Sequence, residues 1–217
     1  INYVGFIEGD DIFSNKADQV ADYLSFNSPR NAETILLSNL GNTAFNGWTE
    51  GFLYVIARYN GASDSTDEDT IIGQWSNLQA INDPNAERYF MRYDSTANEL
   101  DVVASDGTTR IISASVSIKD GEFHQIGLLH RGGKIYPVLD GDVLGAGTAC
   151  GAIKSTSHSK VPEIMGGHQA TGNTTVDAPR FDLKAWGIYN RGLSDSELMQ
   201  LYRHPYGSGD MPLLIPA

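Results

Sequence analysis

Residues 120–141 read DGEFHQIGLLHRGGKIYPVLDG, and two neighbouring strands are written in them. Phe123–Arg131 and Lys134–Asp140 are β-prone runs separated by Gly132-Gly133. Paired glycines supply the positive φ that a two-residue hairpin turn demands, and Asp140-Gly141 offers the next such turn at once. The same grammar repeats upstream. RYFMRYD (88–94), ELDVVAS (99–105) and TTRIISASVSI (108–118) are joined by DSTAN (94–98) and by Asp106-Gly107. The run from 88 to 145 therefore reads as an antiparallel meander.

Outward from that run, FLYVIARY (52–59) is apolar and long enough for a central strand. DYLSF (22–26), TILLS (34–38), TIIGQW (70–75), VPEIMGG (161–167) and FDLKAWGIY (181–189) complete the series. No β–helix–β alternation occurs, which excludes a parallel α/β fold. Regularly spaced strands with turn signals predict an all-β chain, a two-sheet antiparallel jelly-roll β-sandwich. Pro137 falls inside a strand pattern and requires an edge or a bulge. No linker divides the chain, so residues 1–217 are expected to form a single domain.

One helix is predicted, near the C-terminus, in YNRGLSDSELMQLYRHPYG (189–207). Ser194 and Glu197 form a Ser-x-x-Glu capping box, and Leu193 and Leu198 stand at the spacing of a hydrophobic staple. Asp195 and Glu197 complement the helix dipole, and Pro205 stops the helix. Leu198, Leu201 and Tyr202 share a face and are expected to pack on the convex side or an edge of the sandwich. The Pro/Gly-rich tail 204–217 reads either as a strap along the sandwich or as an arm contacting a second copy of the chain.

Composition removes several functional classes. Hydrophobic residues make up 41% of the chain, enough for a core. No apolar stretch nears the roughly 18 residues of a membrane helix, so no membrane insertion is expected. No signal peptide is legible at the start. A net charge of −12 repels phosphate backbones and argues against nucleic acid as a partner. Cys150 is the single cysteine, so no internal disulfide is available.

With those residues in place, a family comes into view. Residues 120–141 resemble the core hairpin of the laminin-G-like, concanavalin A-like jelly-roll domains: an aromatic-His pair (Phe123-His124) opens one strand and Asp140-Gly141 closes the next. IYNRGLSDSELMQLY (188–202) resembles the same family's closing strand and short helix, and IIGQW (71–75) and IMGG (164–167) fit the family's order. The resemblance covers about residues 20–203 and implies a concanavalin A-like sandwich. Lys184 and Ala185 depart from it, standing where many members carry an acidic pair. The ending LYRHPYG…MPLLIPA resembles the tails of such domains in phage structural proteins.

Catalytic signatures are absent. The Glu-x-Asp-x-Glu strand of the β-glucanases in this superfamily, with its carboxylate pair, does not occur, nor do Gly-x-Ser-x-Gly, His-Glu-x-x-His or a phosphate loop. His124 and His130 lie on one face of a strand and read as satisfied histidines, and Cys150 reads as an inert buried thiol. DSTDEDT (64–70) is an acidic loop, read either as solvated or as a Ca2+ site built from Asp64, Asp67 and Asp69. For sugar recognition the candidate contacts are Trp48 and, from the polar stretch HQATGNTTVDAP (168–179), His168, Gln169, Asn173 and Asp177. Trp75 and Trp186 read as core, and Tyr59, Tyr89 and Tyr93 are further aromatics within reach of a rim.

The leading expectation is a non-enzymatic, virion-associated module, a capsid decoration or tail-fibre component at the virion surface with other virion or surface proteins as partners. The alternative is a bacterial lectin-like carbohydrate-binding module, calcium-assisted, in the extracellular space or at the cell surface, with glycans as partners. A polysaccharide-degrading enzyme stands third.

Overall fold

The computed structural model describes residues 3–6, 24–26, 35–37, 40, 43–61, 68–75, 87–155, 162–165 and 181–203. Within them the chain forms β1 (Tyr3–Phe6), β2 (Leu24–Phe26), β3 (Ile35–Leu36), β4 (Gly51–Tyr59), β5 (Glu68–Trp75), β6 (Arg88–Asp94) and β7 (Glu99–Ser105). There follow β8 (Thr109–Ser115), β9 (His124–Arg131), β10 (Lys134–Leu139), β11 (Asp142–Val143), β12 (Thr148–Ala149), β13 (Glu163–Ile164), β14 (Phe181–Tyr189) and the helix α1 (Asp195–Arg203). One sheet of eight strands runs β1-β14-β4-β9-β10-β11, with β2 on β14 and β12 on β10; the other, of six, runs β3-β13-β5-β6-β7-β8. All their pairings are antiparallel. The predicted two-sheet sandwich with one short C-terminal helix is the observed architecture.

The meander expected over 88–145 is divided between the sheets. β6, β7 and β8 follow one another in the six-stranded sheet, and the chain then crosses to the other sheet for β9, β10 and β11. The turn chemistry holds locally. Gly132 and Gly133 both have positive φ, as do Asp140 and Gly141, which matches the two-residue hairpin. Asp106-Gly107 differs, because Thr108 joins it in a three-residue connection. Pro137 pairs with Leu128 of β9 on one side. On the other, β12 meets only Lys134 and Ile135, and β11 only Val138 and Leu139. Its missing N–H therefore falls at a gap in the sheet edge.

Apolar side chains fill the space between the sheets. β4 contributes Leu53, Val55, Ala57 and Tyr59, β6 Tyr89, Met91 and Tyr93, β7 Leu100, Val102 and Ala104, and β9 Ile126 and Leu128. The alternate residues of β4, Phe52, Tyr54 and Ile56, are buried on the opposite face, which is why this strand reads as one continuous apolar run. There they join Leu129, Val138, Tyr189, Leu193, Leu198 and Leu201, so α1 covers the outer face of the eight-stranded sheet. Tyr202 does not join them; it is 38% exposed, a correction to the predicted helix face. The cap forms as written, with Ser194 N donating to Glu197 Oε2 at 2.7 Å and Leu198 N to Ser194 O at 2.9 Å.

Candidate functional site

The outer face of the six-stranded sheet carries a different set of side chains. Period-2 alternation turns Arg88, Phe90, Arg92 and Asp94 of β6 away from the core, and with them Glu99, Asp101, Val103 and Ser105 of β7. The register lines these up across strands. Thr70, Arg92, Asp101 and Ser113 form one row; Glu163, Gly73, Phe90, Val103 and Ile111 form the next. Gly73 is required where it stands. Its φ is +137°, and a Cβ there would lie 2.3 Å from the Tyr89 carbonyl oxygen.

This face combines charge with burial. Arg88, Arg92, Asp101 and Glu163 are all buried, as are Phe90 and Val103 between them. Exposure rises toward the edge strand β8, where Ile111, Ser113 and Ser115 are open to solvent. Asp101 stands at that boundary. Its Oδ2 accepts Arg92 Nε at 2.8 Å and Arg92 Nη2 at 2.7 Å, a forked pair. Its Oδ1 is buried without a hydrogen-bond partner. The carboxylate is thus fixed by a guanidinium fork and keeps one acceptor oxygen that no donor fills, one strand in from the exposed β8.

The residues singled out from the sequence fall elsewhere. Trp48 is partly buried and packs edge-on against Phe45 and Tyr89, with ring centroids 5.0 and 6.5 Å away. Its six-membered ring lies over Gly51, where a Cβ would come within 2.7 Å of it. Tyr59, Tyr89 and Tyr93 are buried between the sheets, and Trp186 packs against the same core. His168, Gln169, Asn173 and Asp177 lie outside the described residues, as do Asp64, Asp67 and the tail 204–217. Asp69 belongs to β5 rather than to a loop, opposite Tyr93. Among the described residues, no group of three or more His, Cys, Asp or Glu side chains is arranged to hold a metal ion.

Arg92 and Asp101 were missed because each strand was read only for its apolar content. The available signal was RYFMRYD itself, where arginine recurs with even spacing on the face opposite Tyr89, Met91 and Tyr93.

The two histidines of β9 part company. His130 points into the core, where burial lowers its pKa, and its Nε2 lies 3.1 Å from the Cys150 carbonyl oxygen. His124 sits at the strand start between Asp140, 2.7 Å from Nδ1, and Asp120, 3.0 Å from Nε2. These carboxylates, Asp140 foremost, raise its pKa to about 9 against an opposing effect of burial. Burial pushes the Cys150 thiol up to about 12, consistent with an inert cysteine.

No protein-family model matches the sequence, and a comparison with curated proteins finds no match. Solved structures do match in fold. The CBM40 of a Ruminococcus gnavus IT-sialidase, bound to α2,3 sialyllactose, aligns with a TM-score of 0.60 at 12% identity, covering 82% of this chain and 97% of that one. A leech intramolecular trans-sialidase aligns at 0.58 with 15% identity, over 82% of this chain and 27% of that one. Trypanosoma rangeli sialidase in complex with sialic acid aligns at 0.54 with 17% identity, over 85% and 28%. The chain thus spans nearly all of the CBM40 chain but only 27% to 28% of these sialidases. At such identities the likeness is one of fold alone, an antiparallel jelly-roll β-sandwich.

Proposed function

We propose that the chain acts as a non-catalytic carbohydrate-binding module, and that it takes its glycan on the outer face of the six-stranded sheet. The observation that carries this reading is the buried Arg92–Asp101 pair beside the exposed β8, a fixed polar group at the margin of a rigid sheet. Support comes from the near end-to-end match with a CBM40 solved with a bound sialyllactose. The virion-associated reading that led from the sequence gains nothing from these neighbours. The carbohydrate-binding alternative gains from them.

A glycan array of neutral and sialylated oligosaccharides, probed with the whole chain with and without a calcium chelator, tests the reading. Retention of at least one glycan class is expected, and a flat response under both conditions counts against it. Loss of binding only with chelator would bring the calcium expectation back. Incubation with α2,3 sialyllactose is expected to leave the trisaccharide intact; free sialic acid in the digest would overturn the non-catalytic half of the proposal.

A further inference from the structure

Asp101 uses one carboxylate oxygen and leaves the other unused. Oδ2 takes both donors of the Arg92 fork, while Oδ1 is buried and has no hydrogen-bond partner. Leaving a buried acceptor unpaired is costly, so such an atom in a folded protein calls for a reason. We propose that Asp101 Oδ1 is the acceptor for a hydroxyl of an uncharged sugar residue, held ready by Arg92 as a positioning residue. The inference rests on the carbohydrate-binding reading above and assigns the chemistry of one of its subsites.

Three features select that ligand class. A carboxylate only accepts hydrogen bonds, so the group it receives must bring a hydrogen, as a sugar hydroxyl does. An anionic group brings none and meets like charge. Among the described side chains, the outer face presents Asp94, Glu99, Asp101 and Glu163 against Arg88 and Arg92, four acidic to two basic. Finally, Ser113 lies directly across from Asp101 and is exposed, and Ile111, two residues along β8 on the same face, is 39% exposed. Oδ1 is closed to solvent, so a sugar ring entering over β8 must part the side chains above it to place a hydroxyl on Asp101, and it can lay its C–H face on Ile111. This pairing of an acceptor with an apolar ledge suits a pyranose better than a water molecule, which needs no ledge.

The test measures affinity for lactose, α2,3 sialyllactose and the monodeoxy analogues of each by titration calorimetry. Removal of one hydroxyl on a lactose residue is expected to weaken binding to the unaltered protein tenfold or more. In Asp101→Asn, which keeps an oxygen for Arg92 and puts a donor where Oδ1 stood, the parent glycan is expected to weaken by a similar factor. That same deoxy analogue should then bind the variant no worse than the parent does. Because the analogues act on the unaltered protein, the result stands even if Asp101→Asn folds poorly. Monodeoxy analogues that all bind within twofold of the parent would overturn the inference and leave the glycan reading standing. A sensitive hydroxyl on the sialic acid would overturn the claim of an uncharged residue. Binding of neither lactose nor α2,3 sialyllactose would overturn this inference, and the glycan reading falls with it only if the array is flat as well.

Discussion

The sandwich has two outer faces built on opposite principles. That of the eight-stranded sheet is closed with rings and a helix. Phe52, Tyr54 and Tyr189 stack at 5.5–6.5 Å between centroids, and Leu193, Leu198 and Leu201 cover them. This sheet places its ion pairs toward strand ends, in Arg58–Asp182, whose carboxylate is buried but whose guanidinium reaches solvent, and in Arg131–Asp195 beside the helix. The six-stranded sheet puts Arg92 and Asp101 side by side on β6 and β7, just inside the edge strand β8, and buries both partners. Apolar burial is the inexpensive way to finish a sheet face, and a buried ion pair seldom improves on it. A face that keeps charge where apolar side chains would serve stability at least as well is the face on which to look for a ligand.

If the helix-covered face is there for stability alone, damage to it should cost folding and spare binding. Leu198→Asp places an unpaired carboxylate among Phe52, Leu129 and Tyr189 and is expected to cost about 4 kcal/mol. Thermal denaturation reads this as a large fall in Tm. A melting temperature near that of the unaltered chain would show that α1 does not seal this face. Gly187→Ala is the milder version. A Cβ there would stand 2.3 Å from the Tyr54 ring, so the aromatic stack must shift, at about 2 kcal/mol. Glycan affinity per folded molecule should hold in both variants; a tenfold loss in either would mean the two faces are not independent.

The apolar face was the more legible of the two, and the reason is physical. Capping boxes, staples and paired turn glycines act between residues close in sequence, so Ser194, Glu197, Leu193 and Gly132-Gly133 announce their roles locally. Hydrophobic runs likewise revealed β4, β6, β7 and β14 within a residue of their observed bounds. Which sheet each strand joins is a long-range matter, and the split of the meander after β8 has no local signature. Short strands such as β11 and β12 pair through position rather than composition and went unseen. The Arg92–Asp101 site depends on register between β6 and β7, which places residues nine apart side by side. Sugar-binding candidates were sought instead among tryptophans and a polar loop, and Trp48 proved to be engaged by Phe45 and Tyr89.

The charged rim of the eight-stranded sheet offers a third test, by pH. Asp140, with Asp120 behind it, raises His124 to about 9, above its unfolded value of 6.5. Stability from this group is therefore complete below about pH 6.5 and fades as pH climbs through about 9. With allowance for solvent at Asp120, chain stability should fall by about 1 kcal/mol across that window, and His124→Gln should flatten the slope. His130 has the opposite sign. Its pKa is lowered by burial, so its effect is a loss of stability as pH falls below 6.5. Denaturant titrations at several pH values separate the two; an unaltered alkaline slope in His124→Gln would remove the rim pair from the account.

The smallest expected change in stability is the most telling. Asp101→Leu alone takes the carboxylate away from the buried Arg92 fork and should cost about 3 kcal/mol. Adding Arg92→Met removes the other charge of the pair and supplies apolar volume in its place. The double variant is expected to return to within about 1 kcal/mol of the unaltered chain, since well-packed apolar replacements of buried pairs are commonly neutral or stabilising. Its glycan affinity should be lost all the same. Stability recovered while binding stays absent would show that the pair is retained for a ligand. A double variant as unstable as Asp101→Leu would instead show that the ion pair holds β6 against β7, and the contrast between the two faces would reduce to two ways of closing a sheet.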